Sequence, residues 1–218
     1  PKVWYERPLY YKGNHFSVVG TEAEVHWPKY SQTIDYELEL AVVIGRTGKD
    51  IATADALAYA FGYMIFNDFS ARDAQYIEMA GGLGPAKGKD FDGANAFGPC
   101  IASADEIPDP YALPMIVRVN GEERSRGSSA EMHWKFEDLI AYVSQGETLH
   151  AGEILGIAGV AGNGQSELAQ VLTGLRRCTA GSVNVNGVEI GNRTPREVIN
   201  EHIAHIPEDR TGVGTAPD

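Results

Sequence analysis

The chain has 218 residues, a net charge of −12, and hydrophobic and charged fractions of 43% and 22%. These values are typical of a soluble globular protein with one large or two small domains. The acidic balance argues against nucleic acid or an anionic membrane as a partner. No apolar run approaches the ~20 residues that a membrane-spanning helix needs, so we expect no membrane insertion.

Cysteine usage and the N-terminus bear on the compartment. Cys100 and Cys178 form no CxxC motif, which favours a reducing environment. The chain starts at Pro1 without a basic and then apolar leader. We therefore expect a cytoplasmic protein from which some upstream sequence has been cut.

An acidic stretch follows a first segment of loops and short strands, among them Trp4-Tyr5. Residues 35–39 read Asp-Tyr-Glu-Leu-Glu, and residues 38–44 predict a strand that stops at Gly45. Side chains two positions apart share a face of a strand, so Glu37 and Glu39 are predicted to point the same way, with Asp35 beside them. Carboxylates crowded on one face repel one another, and their oxygens suit Mg²⁺, Mn²⁺ or Ca²⁺. The same alternation is also typical of a half-exposed strand.

A second polar cluster lies further along the chain. Residues 54–60 predict a helix and residues 63–66 an apolar strand. Asn-Asp-Phe-Ser-Ala-Arg-Asp follows at residues 67–73. Polar groups at the end of a buried strand often form a site, so Asp68 is the predicted third carboxylate. Arg72 faces the same way if a helical turn begins at Asp68; otherwise the cluster simply starts a short helix.

Residues 83–92 form a glycine-rich loop with Lys87 and Lys89, and the loop lacks the spacing of a phosphate-binding motif. A lysine here can pair with a substrate carboxylate or stabilise an enolate oxygen, or it can lie in a solvated turn. Beyond it, Asn120-Gly121 predicts a tight hairpin. Residues 136–144 have helical spacing of apolar side chains, and a further strand begins near residue 152.

Four motifs in this order carry a resemblance to a known family. They are Asp-Tyr-Glu-Leu-Glu at 35–39, Phe-Asn-Asp-Phe-Ser-Ala-Arg-Asp-Ala-Gln at 66–75, Gly-Pro-Ala-Lys-Gly-Lys-Asp-Phe at 84–91 and Val-Asn-Gly-Glu at 119–122. With these motifs, residues 1–156 closely resemble the fumarylacetoacetate hydrolase family.

The resemblance implies a fold, a site and a reaction. The fold would be α+β and mainly β, a mixed β-sandwich roll with helices packed outside, usually as a homodimer. The implied reaction is catabolic C–C hydrolysis of a small anionic 2-oxo acid or acylpyruvate through a metal-stabilised enolate, with related decarboxylases, isomerases and dehydratases left open. The matching positions are Glu37, Glu39 and Asp68 for a Mg²⁺, Mn²⁺ or Ca²⁺ ion, Lys89 as the catalytic lysine that also contacts the substrate, and Arg72 and Gln75 for substrate binding.

The chain departs from that family after residue 156, where Gly159 stands at the position of a substrate-contacting threonine. Residues 159–166 fit a phosphate-binding loop with glutamine in place of the lysine. Residues 152–214 are similar to the second nucleotide-binding domain of sugar and nucleoside ABC transporter ATPases. Without the lysine and a Walker B aspartate, we expect no ATP hydrolysis. The positions that a bound nucleotide would touch are Gly159, Gly164, Gln165 and Ser166.

We therefore divide the chain into a catalytic domain at residues 1–156 and a partial ATPase-like strand–loop–helix segment at residues 157–218. Predicted strands at residues 182–185 and 188–190 can stand in for the missing end of the hydrolase roll. If they do not, an exposed sheet edge favours aggregation. Two alternatives to the hydrolase remain, a fragment of a transporter ATPase and a non-functional chimera.

Overall fold

The computed structural model describes residues 3–82, 84–158, 174, 175, 177, 183–185 and 188–201. The chain divides into one unit over residues 2–161 and a second over residues 162–218. The predicted nucleotide-loop positions Gly159, Gly164, Gln165 and Ser166 lie outside the described residues.

Strands dominate the first unit. In chain order they are β1 Val18–Val19, β2 Ile34–Asp35, β3 Leu38–Ile44, β4 Gly48–Lys49, β5 Ala60–Asp68, β6 Ser70–Ala71, β7 Asn95–Ser103, β8 Pro114–Val119, β9 Glu122–Ser128, β10 Thr148–Leu149 and β11 Ile154–Ile157. Five of them form one sheet in the order β1-β7-β5-β3-β11, in which β1 runs parallel to β7 and the other neighbours are antiparallel. The remaining strands pair in twos, β2 with β6, β4 with β10 and β8 with β9.

The central strand β3 is the one that residues 38–44 predicted, and it ends before Gly45. Its apolar residues Leu40, Val42 and Ile44 alternate with the residues of the opposite face, and all three belong to the main core. Glu39 lies on the other face of the same strand. The alternation therefore separates the core from the carboxylate on a single element.

Short helices accompany the sheet: α1 Val3–Glu6, α2 Arg72–Ala80, α3 Phe136–Val143, and 3-10 helices at His15–Ser17, Thr53–Tyr59 and Ser129–Glu131. The prediction of α3 is confirmed, because its buried face of Phe136, Ile140 and Val143 recurs at helical spacing. One prediction was wrong, since Trp4-Tyr5 is helical rather than extended. The helix predicted at residues 54–60 is present as a 3-10 helix at residues 53–59 that passes directly into β5.

The core of the first unit lies between one sheet face and α3. Phe136, Ile140 and Ile44 are at most 1% exposed, and the ring of Tyr63 packs on Phe136 with centroids 5.0 Å apart. Buried Ser144 extends this core, since its hydroxyl accepts a hydrogen bond from the Ile51 amide at 3.0 Å. Together these contacts hold β3 and β5, the strands that carry the acidic residues.

The predicted hairpin is also confirmed. Strands β8 and β9 pair from Pro114 to Ser128, and the turn between them has φ angles of 52° at Asn120 and 82° at Gly121. Two consecutive positive φ angles define a type I′ turn, which asparagine and glycine adopt readily.

The described part of the second unit contains one strand pair and one helix. Strands β12 (Asn184–Val185) and β13 (Val188–Glu189) are antiparallel, as the sequence predicted for this segment. Helix α4 (Pro195–Asn200) begins with a capping box between Thr194 and Glu197. Ile190 and Val198 are each 1% exposed and supply buried apolar surface for this unit.

Candidate metal centre

Three carboxylates meet at the point where β3 and β5 pair. The ladder places Glu39 opposite Phe66, so Asp68 lies two residues further along the partner strand. Just before β3, the carbonyl of Glu37 accepts a hydrogen bond from the Asp68 amide at 3.0 Å. Carboxylate oxygens of Glu37, Glu39 and Asp68 consequently lie within 4.8 Å of one another.

Two carboxylate oxygens of this cluster are buried without a hydrogen-bond partner among the described residues. They are Oε1 of Glu39 and Oδ1 of Asp68, and each residue is only 2% exposed. Leaving a buried acceptor unpaired costs about 1–3 kcal/mol, and more when it is charged. Such atoms in a folded protein indicate a missing partner, such as an ion.

Lys89 places a buried ammonium beside the cluster. Its Nζ donates to Asp68 Oδ2 at 2.7 Å and lies 2.8 Å from Glu37 Oε2, and the side chain is 3% exposed. The loop before it approaches α2 so closely that a Cβ added to Gly88 would lie 2.7 Å from the Cα of Gln75. Glycine at that position therefore allows the lysine to reach the site.

Arg72, the first residue of α2, completes the charged network. Its Nε and Nη2 donate to Asp35 Oδ2 at 3.0 and 2.9 Å, and its Nη1 donates to Gln75 Oε1 at 2.9 Å. The same Nη1 also donates to Glu37 Oε1. Asp35 thus binds the arginine, and the three-carboxylate cluster consists of Glu37, Glu39 and Asp68.

Tyr11 is part of this site, although no sequence motif predicted it. Its hydroxyl donates to Asp68 Oδ2 at 2.8 Å, across 57 residues of chain. A tyrosine in a short aromatic segment carries no local signal for such a contact. Its strongly raised pKa, caused by burial and then by the Asp68 charge, keeps the hydroxyl protonated and therefore a donor.

The carboxyl groups of the cluster differ in their affinity for protons. Burial, followed by the charges of Asp68 and Glu37, holds the pKa of Glu39 well above its usual value. Burial also raises the pKa of Asp68, although Lys89 opposes it. Burial acts in the same direction on Glu37, but Lys89 and then Arg72 outweigh it and lower the pKa of that carboxyl.

A divalent cation fits the residues that are present. Four carboxylates (Asp35, Glu37, Glu39, Asp68) and two cations (Lys89, Arg72) give −4 + 2 = −2 in their ionised forms. The donor atoms facing the centre of the cluster are carboxylate oxygens, which hard ions such as Mg²⁺, Mn²⁺ and Ca²⁺ prefer. Binding of such an ion would give a partner to the two oxygens that have none among the described residues, Glu39 Oε1 and Asp68 Oδ1.

A cleft of about 540 Å³ has Tyr11 in its wall. The hydroxyl of Tyr11 binds Asp68, so this side chain links the cleft to the carboxylate cluster, whose own residues are not among those that line the cleft. Tyr10, Met79 and Pro85 give the wall an apolar character, and Lys12 and Asp90 are its charged members. The space is sufficient for a small organic anion.

Comparison with known proteins assigns this geometry to a family. A family model described as "Fumarylacetoacetate (FAA) hydrolase C-terminal" matches residues 1–196. The human protein named "Oxaloacetate tautomerase FAHD2A, mitochondrial" is 40% identical over 150 residues, which cover 69% of this chain and 47% of the human protein. The chain thus spans about half the length of the curated relatives that it matches.

Similarity to solved structures supports the same family assignment. A fumarylacetoacetate hydrolase from Exiguobacterium antarcticum superposes with a TM-score of 0.62 and 38% identity, over 67% of this chain and 51% of that one. A fumarylpyruvate hydrolase from Pseudomonas aeruginosa, solved with Mn²⁺ and pyruvate, gives a TM-score of 0.60 and 27% identity over 64% of this chain and 61% of that one. The predicted α+β, mainly β fold of this family is confirmed.

These comparisons give no support to the predicted ABC transporter segment, and the family model continues to residue 196, past the predicted junction. The cytoplasmic location stays a prediction, since the name of the human relative refers to mitochondria. Among the described helices, none has the length and apolar character that crossing a bilayer requires.

Proposed function

Because the chain belongs to the fumarylacetoacetate hydrolase family, we propose that it is a metal-dependent enzyme acting on small anionic oxo acids. The observation that carries this proposal is the buried cluster of Glu37, Glu39 and Asp68, in which two oxygens have no hydrogen-bond partner among the described residues and Lys89 pairs with Asp68. Relatives with related names, an oxaloacetate tautomerase and a fumarylpyruvate hydrolase, support the substrate class.

Glu37, Glu39 and Asp68 would hold a divalent ion, with Mg²⁺ or Mn²⁺ as the expected ions and Ca²⁺ as the alternative. When bound, such an ion supplies Lewis acidity toward the oxygens of an oxo acid. The residues around it prepare the site. Tyr11 and Lys89 both donate to Asp68 Oδ2, which leaves Oδ1 without a hydrogen-bond partner among the described residues.

Lys89 would act on the substrate itself. An ammonium has three N–H donors, and two are directed at Asp68 and Glu37. The third can donate to a carbonyl oxygen that gains negative charge as an enolate forms. A cation that is 3% exposed acts in a region of low dielectric constant, where stabilisation of developing charge is strongest. Arg72 and Gln75 are the proposed contacts for the substrate carboxylate.

The proposed reaction is hydrolysis of a C–C bond in a 1,3-dicarbonyl, between one carbonyl carbon and the carbon that separates the two carbonyl groups. Tautomerisation is the second candidate, because the human relative is named an oxaloacetate tautomerase. The cleft beside Tyr11 would take the acyl group. We assign the activity to residues 1–156, because every residue of the network lies in the first unit. Residues 157–218 are proposed to carry out no nucleotide hydrolysis, and the family model covers them as far as residue 196.

Calorimetric titration with Mn²⁺ tests the site. The wild-type chain and Glu24→Gln, a control whose side chain is 84% exposed, should show the same saturable binding. Glu37→Ala should show none. Equal binding by all three proteins would contradict the site.

An assay with an acylpyruvate and with oxaloacetate then separates the two reactions. Release of pyruvate from the acylpyruvate indicates hydrolysis. A change in enol absorbance of oxaloacetate without release of a fragment indicates tautomerisation. Activity that persists in Glu37→Ala would exclude this site as its origin.

A further inference from the structure

The guanidinium of Arg72 has most of its hydrogen-bonding capacity occupied by the protein. It has five N–H donors, and four are directed at oxygens of Asp35, Gln75 and Glu37. One Nη2–H remains for any other partner. This single donor can still contact a substrate carboxylate, but it cannot form a two-bond fork with it.

Asp35 is itself held in place. Its Oδ1 accepts a hydrogen bond from the Tyr36 amide at 3.0 Å, which leaves Oδ2 for both arginine contacts. The pairing of β2 with β6 sets Asp35 opposite Ser70, two residues before Arg72. The Arg72 amide also donates to the Thr33 carbonyl at 2.7 Å. The backbone thus holds the two side chains together.

Glu37 is the third residue of this contact network, after Asp35 and Arg72. It lies between β2 and β3, outside regular strand pairing. Its Oε1 accepts from Arg72 and its Oε2 lies 2.8 Å from Lys89. The side chains of Arg72 and Glu37 are only 16% and 18% exposed, so solvent screens this contact less than it would at the surface.

We propose that Asp35 is a positioning residue that orients Arg72, so that the guanidinium fixes the Glu37 carboxylate before the ion binds. The inference rests on the proposed function, since it concerns the same ion site. Groups that orient metal ligands typically change metal affinity 10–100-fold when they are removed. If Arg72 instead serves only the substrate, the loss of Asp35 leaves ion affinity unchanged.

The test compares Asp35→Asn with Asp92→Asn. Both replacements remove one negative charge, and Asp92 is exposed. Calorimetry with Mn²⁺ alone should show a dissociation constant about 10–100-fold higher for Asp35→Asn, and a change below about threefold for Asp92→Asn. Circular dichroism of the ion-free proteins checks that each variant is folded. Equal dissociation constants for the two variants would overturn the inference.

A double-mutant comparison with Arg72→Lys provides a second test of the inference. Lysine keeps the charge but cannot form the planar fork. If Asp35 acts through Arg72, adding Asp35→Asn to Arg72→Lys should change the Mn²⁺ dissociation constant by less than about threefold, because the two effects are not additive. If the two substitutions instead raise the Mn²⁺ dissociation constant independently, so that their fold-changes multiply, the inference is overturned.

Mn²⁺ binding by the wild-type chain distinguishes a failure of the proposed function from a failure of the positioning role. Absence of saturable Mn²⁺ binding by the wild type overturns the proposed function, and this inference with it. Binding by the wild type with an unchanged dissociation constant in Asp35→Asn overturns the positioning role alone.

Discussion

Replacement of Glu39 by glutamine should stabilise the ion-free protein and remove its response to Mn²⁺. Glu39 is 2% exposed and lies within 4.8 Å of the oxygens of Glu37 and Asp68. At that distance and an effective dielectric constant of about 20, each like-charged pair costs about 3.5 kcal/mol. The Lys89 charge offsets part of this cost, so a net repulsion remains. Because nearby groups and water relax, we expect Glu39→Gln to gain about 1–3 kcal/mol in free energy of unfolding at pH 7.

The dependence of this gain on pH follows from the raised pKa of Glu39, which burial and the neighbouring carboxylates cause. A carboxyl with a higher pKa in the folded state stabilises the fold when protonated and loses that contribution as pH rises. Below the unfolded value of about 4.3 the wild type is protonated in both states. The advantage of Glu39→Gln should therefore vanish at low pH and grow from about pH 4 through the folded pKa.

Urea unfolding and thermal melts of the wild type, Glu39→Gln and Glu24→Gln measure the effect. A gain of 1 kcal/mol corresponds to roughly 2–4 °C for a chain of this size. Mn²⁺ at about 100 times its dissociation constant should then stabilise the wild type by about 2.7 kcal/mol and leave Glu39→Gln unchanged. If ion-free Glu39→Gln is instead less stable than the wild type, Glu39 serves as a structural acceptor and the repulsion argument fails.

Two further substitutions test packing and charge around the site. Gly156→Ala should cost about 1–3 kcal/mol in urea unfolding, because its Cβ would lie 2.4 Å from the Phe66 ring, whereas Gly20→Ala has no heavy atom within 4 Å and should leave stability unchanged. Equal stability of the two variants would show that the ring yields without cost. Lys89→Met should cost about 3–5 kcal/mol because it removes the buried ammonium that forms ion pairs with Asp68 and Glu37, whereas exposed Lys87→Met serves as the control. A loss no larger than that of Lys87→Met would mean that the carboxylates are neutral at the pH of the experiment.

Short-range patterns predicted several elements well. The apolar alternation of residues 38–44 is strand β3, and Asn120-Gly121 forms the type I′ turn of a hairpin. These predictions succeed because the responsible interactions join residues close in sequence, through side-chain alternation or through a φ angle. The helix predicted at residues 54–60 is also present, but as a tighter 3-10 helix that leads directly into β5, and the apolar pattern did not indicate that helix type.

By itself, the sequence determined the types of group that the site contains: paired glutamates before and within a strand, an aspartate after the next strand, and a lysine in a glycine-rich loop. Only the tertiary structure decided how they pair. It directs Asp35 to Arg72 and joins Tyr11 to Asp68 across 57 residues. Within the part of the chain that the structure describes, it leaves one oxygen each of Glu39 and Asp68 without a hydrogen-bond partner. The reason is physical: a carboxylate takes whichever donor the packing of distant strands brings within about 3 Å, and local pattern does not encode that distance.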